Sequence, residues 1–112
     1  MKHEWQQGEF VIRTDPARLD LDVIHNFLAH ESYWAQGRTK ELSERAIENS
    51  LVFGIYKGTQ QIGFSRVVTD RATFAWLCDV FVLEPFRGLG LSKWMMEVVT
   101  SHPELQSLRR WL

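Results

Sequence analysis

Two stretches of this sequence carry residue types that could do chemistry. The first is a glycine turn, Phe86-Arg87-Gly88-Leu89-Gly90-Leu91-Ser92-Lys93, which leads into an amphipathic segment. Gly88 and Gly90 permit backbone angles closed to other residues and let a ligand approach the main chain. The first N–H groups of a following helix are unpaired, and the positive end of its dipole favours an anion. Arg87 adds a permanent charge whose planar fork suits phosphate oxygens. The same pattern also serves as a tight connection from strand to helix, and spacing alone leaves both readings open. Two phosphate motifs are excluded: Ser92-Lys93 runs in the wrong order for a Walker loop, and a dinucleotide fingerprint would put its third glycine at Lys93.

The second stretch is Thr73 to Leu83 (TFAWLCDVFVL), an apolar run whose only charge is Asp79. A carboxylate buried there would have a raised pKa unless paired, and could act as a base. The alternative is a structural carboxylate paired with Arg66 or accepting a backbone hydrogen bond, and it is the slightly preferred reading. Glu84 is a weaker candidate base, since the end of the run is where a solvated charge is expected. Cys78 has no histidine placed by the sequence to activate it and reads as a small core residue. His3, His25, His30 and His102 lack metal-ligand spacing, so no metal site is expected.

These residues need a scaffold. Glu9 to Thr14 reads as a strand, and Asp20 as the N-cap of a helix carrying Leu21, Ile24, Phe27 and Leu28. Ala29 to Thr39 reads as a loop and Lys40 to Asn49 as a second helix. The period then shifts to strands: Leu51 to Tyr56, Gln61 to Thr69 after a turn at Lys57-Gly58-Thr59, and Thr73 to Leu83. Strict alternation in the last of these places Phe74, Trp76, Cys78, Val80 and Val82 on one face. Ala75, Leu77, Phe81 and Leu83 fall on the other, so both faces are expected to be covered. A helix follows with Leu91, Trp94, Met95, Val98 and Val99 on one side, ended by His102-Pro103. Gln106 to Leu112 reads as the start of another strand.

Length and composition bound the function. The 112 residues make one domain, and 45% hydrophobic with 24% charged residues excludes disorder as the main state. Thirteen Lys and Arg against fourteen Asp and Glu leave no basic surplus for a nucleic-acid backbone. A single cysteine excludes an intrachain disulfide, Met1 to Gly8 lacks a signal peptide's apolar stretch, and no run could span a bilayer. A soluble, cytoplasmic protein is expected.

Together the glycine turn, the apolar strand before it and the order of elements resemble the GNAT superfamily of N-acetyltransferases. Its acetyl-CoA motif, Arg/Gln-x-x-Gly-x-Gly/Ala, is similar to Arg87 to Ser92, with Ser92 in place of the usual Gly or Ala. The resemblance covers nearly the whole chain and implies an α/β (α+β) fold: a mixed, mainly antiparallel sheet flanked by helices. It implies that this chain lacks the family's last helix and strands, stopping at the start of the fifth strand. It further implies acetyl-CoA as cosubstrate and transfer of acetyl to a primary amine of a small molecule or peptide. Main-chain groups of Val80, Phe81 and Val82 would meet the pantetheine arm, with the Val80 N–H facing the thioester oxygen. Arg87 and the N–H groups of Gly88, Leu89, Gly90, Leu91 and Ser92 would hold the pyrophosphate. Tyr33, Trp34 and Arg38 would wall the acceptor site, or alternatively latch onto the core. Because the missing helix often holds the family's proton-donating tyrosine, a noncatalytic CoA-binding or interaction module is the rival reading. An exposed strand at Gln106 to Leu112 implies a homo-oligomer.

Overall fold

The computed structural model describes residues 2–112. Strand β1 (Glu4–Gln7) and strand β2 (Phe10–Arg13) form an antiparallel hairpin over Gly8-Glu9, with Gly8 at φ +60°. Only β2 is expected from the sequence. β1 is an edge strand in which Trp5 is the one apolar side chain, so the alternation that marks a strand is nearly invisible in it. Helix α1 (Leu21–Asn26) is capped by Asp20, whose carboxylate accepts the N–H groups of Asp22 and Val23 at 3.1 and 3.2 Å. The helical path then widens into a π-turn over Phe27–Glu31, closed by the Ser32 N–H on the Phe27 carbonyl at 2.9 Å. The expected loop therefore starts three residues late, because Ala29 is buried and carries the helix onward. Helix α2 (Lys40–Glu48) starts where Thr39 accepts the Leu42 N–H.

Strands β3 (Leu51–Lys57), β4 (Gln60–Thr69) and β5 (Phe74–Val82) continue the sheet antiparallel. Helix α3 (Leu91–Ser101) crosses over, and strand β6 (Arg110–Trp111) returns parallel to β5 beside Phe74 and Ala75. The six strands lie in chain order, a mixed α/β sheet that is antiparallel except at its last pair. The strand expected over Gln106 to Leu112 shrinks to β6, since Pro103–Leu105 forms a single 3-10 turn and Leu108 tucks against the core. On one face of the sheet α3 lays Leu91, Met95, Val98 and Val99 over Ile12, Phe53 and Val82. On the other, Ile24, Phe27 and Leu28 from α1 and its π-turn pack with Ile47 on Val52, Phe64 and Phe81. Each such side chain, fully buried, stabilises by about 1.5–3 kcal/mol.

Strand β5 departs from strict alternation. Between the pairs Phe64 with Phe81 and Arg66 with Cys78, β4 advances two residues while β5 advances three. The extra residue is a β-bulge at Asp79, whose φ of +49° is left-handed. Asp tolerates that region better than most residues. The bulge swaps the two faces partway along the strand. Ala75 and Leu77 before it and Val80 and Val82 after it all pack on the α3 side, whereas Phe81 joins the α1 side. Trp76, expected to be covered, is instead 53% exposed.

Candidate active site

The bulge also changes which strand edge the backbone addresses. The Leu77 N–H donates to the Leu112 carbonyl at 3.1 Å, on the β6 side. The Leu83 N–H donates to the Ile62 carbonyl at 2.8 Å, on the β4 side. Residues six apart in a regular strand address the same edge, so the inserted residue has reversed the direction. Beyond Asp79, Phe81 therefore turns its N–H and C=O toward β4, and Val80 and Val82 turn theirs toward the edge that β6 does not cover. Of the three residues expected to meet a cofactor arm, Val80 and Val82 offer backbone groups there. Phe81 does not; it stacks on Phe27 with ring centroids 4.1 Å apart.

At the bulge, Asp79 is buried and saturated with donors. Arg38 reaches it with both η nitrogens, at 2.7 and 3.3 Å, Arg66 with Nε at 2.9 Å, and Trp34 with Nε1 at 2.9 Å. Burial alone pushes this carboxyl up, but the hydrogen bonds and charges of Arg38 and Arg66, with Trp34, outweigh it and hold it below its ordinary value. A carboxylate so occupied is a poor proton acceptor. Arg66 also donates through an η nitrogen to Ser50 Oγ at 3.2 Å, tying the cluster to the start of β3.

The cluster forms one wall of a cleft of about 500 Å³, lined also by Trp76, Leu77, Cys78 and Val80. Two guanidiniums and one carboxylate give that wall a net positive charge. Burial pushes the Cys78 thiol up, with Arg66 opposing, so it stays protonated near neutral pH. Tyr33 is 90% exposed and meets the Trp34 ring edge-on at 5.3 Å without reaching the cleft wall, unlike Trp34 and Arg38. Glu84, exposed, opens the 3-10 turn after β5 and also lies off that wall.

The glycine turn lies at the other end of the open edge. Gly88 and Gly90 hold φ of +83° and +78°, and a Cβ at either would meet no atom within 4 Å, so conformation and not crowding requires glycine. Gly90 caps α3, leaving the N–H groups of Leu91, Ser92 and Lys93 without carbonyls one turn back. Leu91 packs into the core, whereas Leu89 stands exposed at the tip. Arg87 folds back, its Nε donating to the Val82 carbonyl at 2.9 Å, which braces the turn against the strand. A cleft of about 110 Å³ runs between Val82, Arg87, Gly88, Gly90 and Ser92. Along one edge the order is thus helix N-terminus, Val82, Val80, larger cleft.

The part sequence reasoning missed is the place of Trp76 on the cleft wall; Arg66, named from the sequence as a partner for Asp79, does bond to it. Alternation puts Trp76 on the face opposite Ala75 and Leu77, as observed, but that face opens there into the cleft and the ring stays exposed. Among the described residues no group of three or more His, Cys, Asp or Glu is arranged to hold a metal, and no helix is long and apolar enough to cross a membrane.

Comparison with known proteins agrees with this architecture. Residues 21–112 match the family model described as "Acetyltransferase (GNAT) family". A Gibberella zeae protein named "Putative acetyltransferase" is 29% identical, over 96% of this chain and 68% of its own. A crystal structure from Xanthomonas campestris, described as a "putative acetyltransferase belonging to the gnat family", is 43% identical with a TM-score of 0.92, covering 96% of this chain and 75% of that one. A GNAT family acetyltransferase from Elizabethkingia anophelis with acetyl-CoA bound shares the fold, at 15% identity and a TM-score of 0.60, over 83% of this chain and 56% of its own. With a family model spanning both the bulged strand and the glycine turn, this chain belongs to the GNAT acetyltransferase family.

Proposed function

We propose that the protein transfers an acetyl group from acetyl-CoA to a primary amine held in the larger cleft. The observation that carries this reading is the edge freed by the Asp79 bulge between an anion-ready helix N-terminus and a cleft. Backbone groups of Val80 and Val82 would pair with the amides of the pantetheine arm as an added strand would. The N–H groups at Gly88 to Ser92 would take the pyrophosphate, with Arg87 bracing the turn and adding charge. The acetyl thioester, so placed, supplies the electrophilic carbonyl. The Val80 N–H would donate to the thioester oxygen as it gains charge.

Among the described residues no free carboxylate faces the cleft, so the ammonium gives up its proton to water before attack. An ammonium with a pKa of ~10.4 needs about 4–5 kcal/mol to become neutral near pH 7. The proton leaves through water, and the attacking species is the neutral fraction of the amine. Asp79 acts as a positioning residue that orients Trp34 and both arginines. The rival reading, a CoA-binding module without turnover, draws support from the same lack of a free acid or base.

Thermal melting with acetyl-CoA tests the first half: ligand at ~100 times its dissociation constant adds about 2.7 kcal/mol. Release of free thiol with a panel of amines tests the second. An unchanged melting curve at millimolar acetyl-CoA overturns the proposal, and a shift without thiol release for any amine favours the binding module.

A further inference from the structure

Asp79 and the two arginines divide unequally between core and cleft. The Asp79 side chain is 3% exposed, while those of Arg38 and Arg66 are 22% and 14% exposed, so the cleft meets the cations far more than their counterion. Among the described residues Asp79 is also the only acid on the cleft wall. Its charge offsets one guanidinium and leaves the other uncompensated. Donors remain as well: among the described residues Arg38 Nε and one η nitrogen of Arg66 have no hydrogen-bonded acceptor. Beside them stand two indoles. Trp34 is held in place by its bond to Asp79, and Trp76 turns an exposed ring to the same space.

We infer that the acceptor is an aromatic amine bearing one carboxylate, which Arg38 and Arg66 hold while Trp34 and Trp76 flank its ring. This rests on the reading of the larger cleft as the acceptor site. A single carboxylate balances the single excess charge, and charge-assisted bonds to guanidinium N–H groups orient it. A phosphate monoester, at about −1.5 to −2 near neutral pH, would overshoot the balance. A polyamine or a lysine-rich peptide would bring further cations against a cationic wall, and the cleft selects against both. The flat indole faces give contact area with little rotamer entropy to lose.

The test is calorimetric titration of the 112-residue protein in the presence of CoA. L-phenylalanine and phenethylamine differ only in the carboxylate, alanine lacks the ring, and phosphoethanolamine carries phosphate. Phenylalanine should bind at least tenfold more tightly than each of the others. Arg38→Gln should weaken phenylalanine at least tenfold and cut its preference over phenethylamine, with Arg38→Lys recovering part of the loss. Trp76→Ala, at an exposed position, should weaken both ring-bearing ligands and spare alanine. Equal affinity for phenylalanine and phenethylamine, tighter binding of phosphoethanolamine, or no binding of any of them overturns the inference, whether or not Arg38→Gln folds. The acetyl-CoA melting shift is read separately. Its presence beside indifference to the carboxylate sinks this inference alone, and its absence beside a clear carboxylate preference sinks the transferase reading.

Discussion

Replacing Asp79 with asparagine isolates the charge of the bulged residue. Asparagine is nearly isosteric and accepts the left-handed φ of +49° as readily as aspartate, so backbone strain is not added. What changes is that Arg38 and Arg66 lose their shared anion and face an amide with one acceptor and two donors. Stranding a buried charge costs about 3–5 kcal/mol. Here the guanidiniums are partly wet, at 22% and 14% exposure, and solvent recovers some of that, leaving about 2–4 kcal/mol. At about 2.1 cal/mol/K per residue, a chain of 112 residues should melt about 8–17 °C lower. The pH dependence gives a second check. The folded pKa of Asp79 lies below its ordinary 3.8, so its contribution is present above that value and lost as pH falls toward the folded pKa. The parent and D79N melting curves should therefore converge in acid, below about pH 4. Differential scanning calorimetry across pH 3 to 7.5, with turnover measured on the same preparations, decides the matter. An unchanged melting midpoint with turnover abolished would refute the positioning role and return Asp79 to the status of a base.

Three further outcomes follow from individual contacts. Gly90→Val places a β-branched residue at φ +78° and a side chain in the space in front of the helix N-terminus; it should largely abolish the acetyl-CoA melting shift, whereas Arg87→Ala should reduce it, both read by thermal shift. Gly54→Ala would set a Cβ 2.6 Å from the Tyr56 hydroxyl oxygen, which donates to the Arg18 carbonyl, and should cost about 1–3 kcal/mol in urea denaturation, partly recovered in the double variant with Tyr56→Phe. Burial, reinforced by the neighbouring His3 and opposed by Glu104, lowers the pKa of His102 below 6.5, so its stabilising effect is complete above that pH and lost as pH falls toward the folded value. His102→Asn keeps an acceptor for the Glu104 N–H and should flatten the stability profile below pH 6.5, at the expense of packing against Phe53; an unaltered profile contradicts the assignment.

The elements read correctly from the sequence are those whose signal is local. Asp20 caps a helix because a short side-chain oxygen reaches the next N–H groups whatever the tertiary context. The glycine turn is legible because positive φ at Gly88 and Gly90 is a property of residue type. The misread elements depend on partners distant in the chain. β1 is a strand only because β2 offers it an edge, and β6 contracts because Pro103 and Leu105 start a turn that packs against α3. At Ala29 to Glu31 the polar, aromatic composition suggests a loop, yet burial of Ala29 and the Ser32 hydroxyl on the Leu28 carbonyl at 2.6 Å sustain one more helical turn.

The bulge at Asp79 is the feature on which fold and site both turn, and it explains how a carboxylate is accommodated in an apolar strand. In a regular strand Asp79 would share a face with Ala75 and Leu77, directed at the apolar helix α3, and the charge would have no partner there. One inserted residue rotates it to the opposite face, where the π-turn and the loop after it deliver Trp34 and Arg38, and where Arg66 projects from β4. The same insertion reverses the hydrogen-bonding direction, so Val80 and Val82 keep their side chains in the α3 core while their backbone groups turn to the open edge. Neutralising the aspartate and freeing the edge are thus one structural event. The charge network supplies the energy that holds the left-handed residue in place, which costs of order 1–3 kcal/mol and persists only where its surroundings over-determine it. The stability given up at this point of the sheet holds open a backbone edge that runs from the helix N-terminus to the larger cleft.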